Sequence, residues 1–189
     1  MNHGACPAVF LDRDGVVNRA IVRAGRPHPP QSLAELEIPD DVPDALATLA
    51  RAGFLLIGVT NQPDVARGAQ RREVVEAINA ALLARLPLTE MFVCYHDDRD
   101  GCECRKPRPG LLFQAAERYR ISFAGSFMVG DRWKDVEAGR RAGCITVLLG
   151  SGWGEPSYGF PADHTTGTLR DAADWIVRQR AARAEEGAR

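Results

Sequence analysis

Two carboxylates stand two positions apart near the start of the chain, at Asp12 and Asp14. The apolar residues before them predict a buried strand over residues 8–12, and Gly15 predicts a sharp turn after it. An extended chain would place both carboxylates on the same side. Because like charges repel, such a pair needs a cation, a shared proton or solvent. The stretch is therefore compatible with a metal-assisted enzyme site and also with an ordinary turn.

Other polar side chains follow the later predicted strands. They are Thr60 and Asn61 after the second strand, Arg105 and Lys106 after the third, and Asp131 and Asp135 after the fourth. Carboxylate oxygens suit a hard cation such as Mg²⁺, whereas a hydroxyl, a lysine and loop amides suit a phosphate. Taken singly, Thr60-Asn61 is a turn and Gly130-Asp131 is a strand end with a helix cap. Taken together, these residues indicate phosphoryl transfer.

Lysine is rare among the basic residues of this chain. Of the 24 basic residues only two, Lys106 and Lys134, are lysines. Both positions are therefore candidates for a compact ammonium rather than a planar guanidinium. Chance within an arginine-rich composition explains Lys134 equally well.

A second group of metal-ligand residues consists of Cys94, His96, Cys102 and Cys104. Three thiolates and one imidazole complete a tetrahedral Zn²⁺ site with no open position, which is typical of a structural site. The alternative, a Cys102–Cys104 disulfide, would close a very tight ring and leave the other two residues unexplained. We expect zinc to fix the loop over residues 94–104.

The zinc loop directly precedes Arg105 and Lys106, so zinc binding is expected to point these two side chains into the site. The carboxylates within the loop are expected to be solvated, because the cysteine and histidine set is complete. They are Asp97, Asp98 and Asp100. The two isolated cysteines, Cys6 and Cys144, are expected to be an unpaired surface thiol and a core thiol.

Strands and helices alternate along the sequence. Apolar runs predict strands over residues 8–12, 54–59, 91–95, 126–129 and 144–149. Helical periodicity predicts helices over residues 40–52, about 70–85, 109–119, 133–142 and about 168–182. Asp40 or Asp41 is expected to cap the first helix, and Thr168 and Asp171 to form a capping box in the last. The tail from Arg180 is expected to fray.

This order predicts an α/β fold: a Rossmann-like, doubly wound, mostly parallel sheet with helices on both faces. Ligands of such sheets bind beyond the carboxyl ends of the strands, where the polar residues lie. The 189 residues are expected to form a single domain with a core over about residues 8–150. Residues 19–39 predict a long flap loop, and the short segments between motifs leave no room for a large cap domain.

The composition limits which binding partners and which cellular location are expected. A formal net charge of −1, without a basic stripe carrying interleaved aromatics, argues against nucleic acid and anionic membranes. No apolar run approaches the roughly 18 residues that suggest a membrane span, and the N-terminus lacks a signal layout. Clustered cysteines beside a histidine favour metal binding over disulfides. We expect a cytoplasmic monomer that acts on a small molecule.

In four ordered motifs the chain resembles the haloacid dehalogenase (HAD) superfamily of aspartate-nucleophile phosphohydrolases. Asp12-Arg13-Asp14 matches the first motif, Thr60 the second, Lys106 the third, and Asp131 with Asp135 the fourth. The resemblance implies that Asp12 attacks phosphorus and that Asp14 protonates the leaving oxygen and then activates water. It implies that Thr60 and Lys106 hold phosphoryl oxygens. It further implies Mg²⁺ bound by Asp12, Asp131 and the backbone carbonyl of Asp14, with Asp135 in support.

The zinc-ligand pattern is similar to one HAD subgroup, the D-glycero-D-manno-heptose 1,7-bisphosphate 7-phosphatases and the histidinol-phosphate phosphatases. Lys106-Pro-Arg-Pro-Gly-Leu-Leu112 and the residues over 130–139 resemble the heptose branch, whereas the short zinc spacing also fits the histidinol branch. Pro63 and Asp64 depart from the usual pattern beside the expected phosphate site. The resemblance implies removal of the heptose 7-phosphate, with histidinol phosphate or another small sugar phosphate as the alternative.

Three further residues are candidates for substrate contacts besides Asn61. Arg105 and Arg67 would hold a second phosphate through a bidentate guanidinium, and Asn18 lies just after the first motif. Arg67 is equally explained as a solvated loop residue. A non-catalytic phosphate-binding protein is a different class, but such a protein would be expected to lack Asp12 or Asp14, and both are present.

Overall fold

The structure, a computed structural model, describes residues 6–155 and 161–187. Its main sheet consists of β1 (Ala8–Leu11), β4 (Leu55–Asn61), β5 (Glu90–Cys94), β6 (Phe127–Gly130), β7 (Ile145–Leu149) and β8 (His164–Thr166). These six strands are all parallel and lie in the order β5-β4-β1-β6-β7-β8. The central strand β1 is fully buried between β4 and β6, so the residues that follow it emerge at the middle of the carboxyl edge.

Five α-helices in the described part of the chain cover this sheet. They are α1 (Val42–Arg51), α2 (Arg72–Arg85), α3 (Gly110–Tyr119), α4 (Trp133–Ala142) and α5 (Leu169–Gly187). Alternate residues of β1 face opposite sides, since successive side chains of a strand do so. Val9 and Leu11 pack in a core cluster with α1, α2 and α5, whereas Ala8 and Phe10 pack with α3 and α4. The predicted α/β fold with helices on both faces is confirmed.

The region over residues 19–39 is more ordered than a plain loop. It contains an antiparallel hairpin of β2 (Ile21–Arg23) and β3 (Arg26–His28), followed by a 3-10 turn at Leu33–Glu35. The two residues between the strands, Ala24 and Gly25, have φ of 49° and 73°. Positive φ at both central residues is the geometry of tight hairpin turns. Each strand has only three residues, so no apolar alternation in the sequence predicts the hairpin.

The helix ends differ from the predictions in two places. Asp41 occupies the N-cap position of α1 but makes no capping hydrogen bond there; its carboxylate accepts one from the Arg170 backbone N–H at 3.3 Å instead. Asp41 therefore ties the start of α5 to α1. At the start of α5 the Asp171 backbone N–H donates to Thr168 Oγ1 at 3.1 Å, as in the predicted cap. The helix then runs to Gly187 and does not end near residue 182.

The last strand of the sheet, β8, was not predicted from the sequence. Its three residues, His-Thr-Thr, carry no apolar run, and the strand is only partly buried at the edge of the sheet. Among the helices described here, none has the length together with the apolarity that crossing a membrane requires.

Candidate active site

Three carboxylates and one lysine meet at the carboxyl edge of the main sheet. Lys106 Nζ lies 2.7 Å from Asp12 Oδ1 and 2.6 Å from Asp135 Oδ1. It also donates to the Val59 carbonyl at 2.7 Å, which anchors the ammonium to the end of β4. Carboxylate oxygens of Asp12, Asp131 and Asp135 lie within 4.8 Å of one another, and all three residues are buried. We call these four side chains the acidic cluster.

The carboxylates of the acidic cluster outnumber its single cation. Burial raises the pKa of Asp12 to about 7, with Asp135 and Asp14 acting in the same direction and Lys106 opposing them. Burial, together with Asp12 and Asp135, raises the pKa of Asp131 to about 8. Although burial disfavours its charge, Lys106 has its pKa raised by Asp12 and Asp135. A divalent cation would neutralise the surplus, and carboxylate oxygens are the ligands that Mg²⁺ prefers.

Two glycines allow the acidic cluster to pack this closely. Gly15 has a φ of +94°, and a Cβ there would lie 2.0 Å from Asp131 Oδ2. A Cβ at Gly130 would lie 2.1 Å from Asp135 Cβ. A side chain at either position would displace a carboxylate of the cluster. The glycines beside the acidic motifs are therefore part of the site.

Asp131 has two oxygens in different surroundings. Its Oδ2 accepts a hydrogen bond from the Trp153 indole Nε1 at 2.6 Å. Its Oδ1 is buried and has no hydrogen-bond partner in the described part of the chain. An unpartnered buried carboxylate oxygen is costly unless a cation binds it, so this atom fits a metal ligand.

The Asp14 carboxylate lies outside the acidic cluster and is held by four donors. Arg13 Nε and Nη2 donate to its two oxygens at 3.1 and 2.9 Å. Gln62 Nε2 and Asn18 Nδ2 donate at 2.8 and 3.1 Å. Arg13 is fully buried, and its Nη1 donates to Asn79 Oδ1 on α2 at 2.9 Å. A buried guanidinium thus fixes the position of Asp14.

The predicted same-side pairing of Asp12 and Asp14 is only partly observed. β1 ends at Leu11, and the chain turns at Gly15, so the alternation of a strand does not continue through the motif. Asp14 is close enough to raise the pKa of Asp12. The two carboxylates nevertheless have separate partners, Lys106 for one and Arg13 for the other.

Thr60 and Asn61 lie together at the end of β4. Thr60 is buried, and its Oγ1 accepts a hydrogen bond from Gln62 Nε2 at 3.0 Å. Asn61 exchanges two hydrogen bonds with the backbone of Lys106: its Nδ2 donates to the carbonyl at 3.0 Å, and its Oδ1 accepts from the N–H at 3.1 Å. Asn61 therefore holds the segment that carries the lysine of the acidic cluster.

Cys94, His96, Cys102 and Cys104 form a compact group, which we call the thiolate cluster. Their ligand atoms lie within 4.8 Å of one another. The sulfur atoms are 3.2, 3.4 and 3.7 Å apart, and His96 Nδ1 lies 3.3 Å from Cys104 Sγ. A Zn²⁺ 2.3 Å from each sulfur would set tetrahedral thiolates about 3.7 Å apart. The spacing suits zinc, and the three cysteines are free of disulfides, as such a site needs.

Two carboxylates of the zinc loop bind arginines, and Asp98 stays largely exposed to solvent. Arg105 Nε donates to Asp98 Oδ1 at 2.8 Å, and Arg67 Nη2 donates to Asp97 Oδ1 at 2.5 Å. The hydrogen bond from Arg67 lowers the pKa of Asp97 to about 2. Asp100 Oδ2 accepts from the Asp97 backbone N–H at 2.7 Å.

A cavity of about 1060 Å³ opens over the acidic cluster. Arg67 and Arg105 line it on the side of the zinc loop, and Arg105 Nη1 is buried with no hydrogen-bond partner among the described residues. The β2–β3 hairpin lines another side through Arg23, Arg26 and His28. The walls are therefore rich in cations, as a pocket for a phosphorylated molecule requires.

Four residues of the site were missed by reasoning from the sequence: Arg13, Gln62, Asn79 and Trp153. Arg13 and Gln62 stand within motifs that were recognised, so their positions were available as a signal. Asn79 is a buried polar residue on the apolar face of α2, beside Ile78. Trp153 follows the last predicted strand, where nothing local marks it as part of the site.

The parallel sheet, with carboxylates from β1 and β6 meeting a lysine beyond its carboxyl edge, has the architecture of a HAD-like hydrolase. A protein-family model described as HAD-hydrolase-like matches residues 103–174. This segment begins at the end of the zinc loop and includes Lys106 and the fourth motif.

Relatives over nearly the whole chain narrow this class. The D-glycero-β-D-manno-heptose-1,7-bisphosphate 7-phosphatase of Salmonella typhi is 35% identical over 183 residues, covering 90% of this chain and 89% of the relative. That of Escherichia coli K12 is 36% identical, covering 90% and 88%. The chain belongs to this family of HAD phosphatases.

A solved structure is similar in fold and in sequence. The D,D-heptose 1,7-bisphosphate phosphatase of B. bronchiseptica, complexed with magnesium and phosphate, has a TM-score of 0.78 and 31% identity. The match covers 92% of this chain and 99% of that one. The cation and the anion bound by that neighbour are the two kinds of ligand that the acidic cluster and the basic walls of the cavity would accept.

Proposed function

We propose that this chain removes the 7-phosphate of D-glycero-β-D-manno-heptose 1,7-bisphosphate through an aspartyl-phosphate intermediate, with Mg²⁺ bound. The observation that carries the proposal is the acidic cluster, in which Asp12 is held 2.7 Å from Lys106 and within 4.8 Å of the Asp131 and Asp135 oxygens. The identity of 35–36% to phosphatases of that name supports the choice of substrate.

In the first step a carboxylate oxygen of Asp12 forms a bond to the phosphorus while the ester P–O bond breaks. The departing sugar oxygen takes a proton from Asp14. The Thr60 hydroxyl and the Lys106 ammonium hold phosphoryl oxygens as charge develops on them. Bound Mg²⁺ would neutralise part of that charge.

In the second step Asp14 takes a proton from a water molecule, whose oxygen attacks the phosphorus of the aspartyl-phosphate. The bond between phosphorus and the Asp12 oxygen breaks, which releases phosphate and restores the carboxylate. The Arg13 guanidinium, bonded to both oxygens of Asp14, holds this carboxyl group in place for the step. Gln62 and Asn18 keep the same carboxylate oriented.

The Mg²⁺ ligands would be Asp12, Asp131 and the backbone carbonyl of Asp14. Asp131 Oδ1 has no hydrogen-bond partner among the described residues, and burial raises the pKa of Asp12 and Asp131; both observations support this assignment, because a cation would stabilise the ionised carboxylates. Asp135 supports the site from behind by accepting the Arg132 backbone N–H at 3.1 Å and contacting Lys106.

The thiolate cluster would hold a structural Zn²⁺ that orders residues 94–104. Gly110 packs against this loop so tightly that a Cβ there would lie 2.4 Å from the Glu103 carbonyl oxygen. The zinc loop is thereby fixed to the start of α3, with Arg105 and Lys106 between them. Arg105 and Arg67 would receive the second phosphate of the bisphosphate. In this proposal Mg²⁺ takes part in the reaction, whereas Zn²⁺ orders the loop that positions Arg105 and Lys106.

Three expectations from the sequence remain predictions: a single domain over residues 1–189, a monomer, and a cytoplasmic location. Each concerns the protein as a whole and not the geometry of the site. Sedimentation of the purified protein checks the oligomeric state directly.

The experiment that tests the substrate is a panel ranked by kcat/KM in the presence of Mg²⁺. It contains the β anomer of the heptose 1,7-bisphosphate, the α anomer, the heptose 7-phosphate and histidinol phosphate. We expect the β bisphosphate to exceed histidinol phosphate by about 10²-fold or more, because a site built to bind a group rejects an analogue that lacks it. Equal or greater activity on histidinol phosphate would overturn the assigned substrate while leaving the mechanism intact.

A further inference from the structure

Trp153, on the turn after β7, contacts the acidic cluster. Its indole Nε1 donates to Asp131 Oδ2 at 2.6 Å, although the residue as a whole is 38% exposed. The same side chain lines the cavity over the acidic cluster and a second cavity of about 620 Å³. Trp153 thus stands as a wall between two cavities and is bonded to a carboxylate of the site.

This hydrogen bond distinguishes the two oxygens of Asp131. Oδ2 is confined by the indole N–H on one side and by the backbone of Gly15 on another, where a Cβ would lie 2.0 Å away. Oδ1 is buried without a hydrogen-bond partner in the part of the chain that the structure describes. A ligating carboxylate whose other oxygen is hydrogen-bonded presents a fixed direction to the metal.

The turn that carries Trp153 is tied to the strand end that carries Asp131. Trp153 has φ 58° and ψ 22°, a left-handed conformation that bulky residues rarely adopt. Glycines flank it on both sides with φ of +67° and +65°. Next in the chain, Glu155 Oε2 accepts from Arg132 Nε at 3.1 Å, and Arg132 directly follows Asp131. Strained conformations persist where the surroundings determine them, so the placement of the indole is specific.

We infer that Trp153 is a positioning residue: its indole N–H holds Asp131 Oδ2 and leaves Oδ1 as the oxygen available to Mg²⁺. The inference rests on the proposed function, because that proposal assigns Asp131 as a metal ligand. Trp153 acts through Asp131 and not on the reacting atoms. Its loss should therefore weaken metal binding more than it slows the chemistry once metal is bound.

The first test compares Trp153→Phe, which keeps an aromatic ring but removes the N–H, with Trp175→Phe as the matched control. The Trp175 ring stacks on His164 at 4.3 Å and packs in the core beneath α5. We expect the Mg²⁺ concentration for half-maximal turnover to rise about tenfold in Trp153→Phe. We also expect kcat at saturating Mg²⁺ to stay within about twofold, and the control to match the unsubstituted protein. An unchanged half-saturation, or a loss of kcat that excess Mg²⁺ does not restore, would overturn the inference.

The second test measures metal binding without turnover. The chain has three tryptophans, so the double variant Trp133→Phe/Trp175→Phe keeps Trp153 as the sole tryptophan, whose emission can be excited selectively. Titration with Mg²⁺ alone should change its emission, and adding Asp131→Asn should remove that response. Emission that does not respond to Mg²⁺ at concentrations supporting turnover would contradict the inference.

The two tests separate failure of the inference from failure of the proposed function. Absence of Mg²⁺-dependent turnover in the unsubstituted protein would sink the proposed function. Mg²⁺-dependent turnover in the unsubstituted protein, with Trp153→Phe indistinguishable from Trp175→Phe, would sink the role of Trp153 alone.

Discussion

Two clusters of potential metal ligands lie along one edge of the main sheet, one of carboxylates and one of thiolates, and the chain assembles them differently. The acidic cluster joins distant positions, since Lys106 and Asp12 are 94 residues apart in sequence. The thiolate cluster comes from the last residue of β5 and the loop that directly follows it. The first is therefore positioned by the topology of the parallel sheet, whereas the second is positioned by local spacing.

The two clusters also differ in what supports them. All four members of the acidic cluster are buried: Asp12 and Asp131 follow strands β1 and β6, Asp135 lies in α4, and Lys106 donates to the end of β4. In the thiolate cluster only Cys94 is buried, and the loop between its members contains no more than a short 3-10 turn, Asp98–Asp100. Because packing already positions the acidic cluster, a metal bound there can act in catalysis. A metal bound at the thiolate cluster would instead order a loop that has little packing of its own.

The largest expected effect comes from the acidic cluster. Asp12→Asn should lower kcat by a factor on the order of 10⁴ to 10⁶, because it removes the nucleophile without changing the shape of the site. Release of phosphate from the heptose bisphosphate measures the loss. The control is Asp174→Asn on the exposed face of α5, which should leave kcat unchanged. Appreciable Mg²⁺-dependent turnover by Asp12→Asn would rule out the aspartyl-phosphate mechanism.

Loss of zinc should give a smaller effect with a different signature. Cys102→Ser should lower kcat/KM by about 10²-fold, since a displacement of about 1 Å in Lys106 or Arg105 is enough for such a loss. The Mg²⁺ concentration for half-maximal turnover should stay the same, because Asp12 and Asp131 follow strands that do not depend on the loop. Steady-state kinetics with metal analysis of the protein tests both statements.

The control for zinc loss is Cys6→Ser, which removes a thiol outside the thiolate cluster. It should retain bound zinc and full activity. A zinc-free protein that kept full turnover would show that the acidic cluster works independently of zinc. This result would contradict the role proposed for the zinc loop.

The same contrast explains how much could be predicted from the sequence. The thiolate cluster was predicted from residue types and spacing alone, because its four ligands fall within eleven positions and zinc geometry restricts their chemistry. The acidic cluster required the strand order. Alternating strands and helices placed Asp12, Thr60, Lys106 and Asp131 at one edge of a sheet, and the superfamily motifs then assigned their roles.

What escaped prediction depends on tertiary contacts. From the sequence, Arg13 was recognised only as a residue of the turn in the first motif. In the structure it is the buried cation that holds Asp14, and it also donates a hydrogen bond to Asn79 on a distant helix. Trp153 contacts Asp131 from a turn whose direction no local pattern reveals. The β2–β3 hairpin and β8 are each three residues long, too short for periodicity to show. Contacts between distant elements, and strands of only three residues, leave no recognisable local pattern in the sequence.

A third prediction concerns the pH dependence of stability that arises from the acidic cluster. In Mg²⁺-free protein, Asp12 and Asp131 have pKa values raised from 3.8 to about 7 and about 8. Between about pH 4 and pH 8 the native state therefore binds more protons than the unfolded chain, so the free energy of unfolding falls as pH rises through this window. Because one pKa unit corresponds to about 1.4 kcal/mol, we expect a loss of several kcal/mol, measured as a decrease in Tm.

Thermal unfolding in Mg²⁺-free buffer without a chelator, which leaves zinc in place, measures this pH dependence. Mg²⁺ should restore most of the lost stability at the upper end of the window, because it binds the ionised carboxylates. Asp131→Asn should flatten the dependence. A Tm that does not fall between about pH 5 and pH 8 would show that the acidic cluster carries no surplus charge.

The smallest expected effect distinguishes thiols held by metal from a thiol held by packing. Cys144 is 7% exposed, and burial raises its pKa to about 12, so it should react with a thiol reagent only after unfolding. In zinc-loaded native protein, half-buried Cys6 should react first, and the three cysteines of the thiolate cluster should follow when a chelator removes zinc. Counting modified thiols by mass spectrometry at each stage resolves the groups, and Cys144→Ala should remove one thiol from the unfolded count alone. Modification of Cys102 or Cys104 before chelation would mean that packing and hydrogen bonds, and not zinc, organise the loop that leads to Lys106.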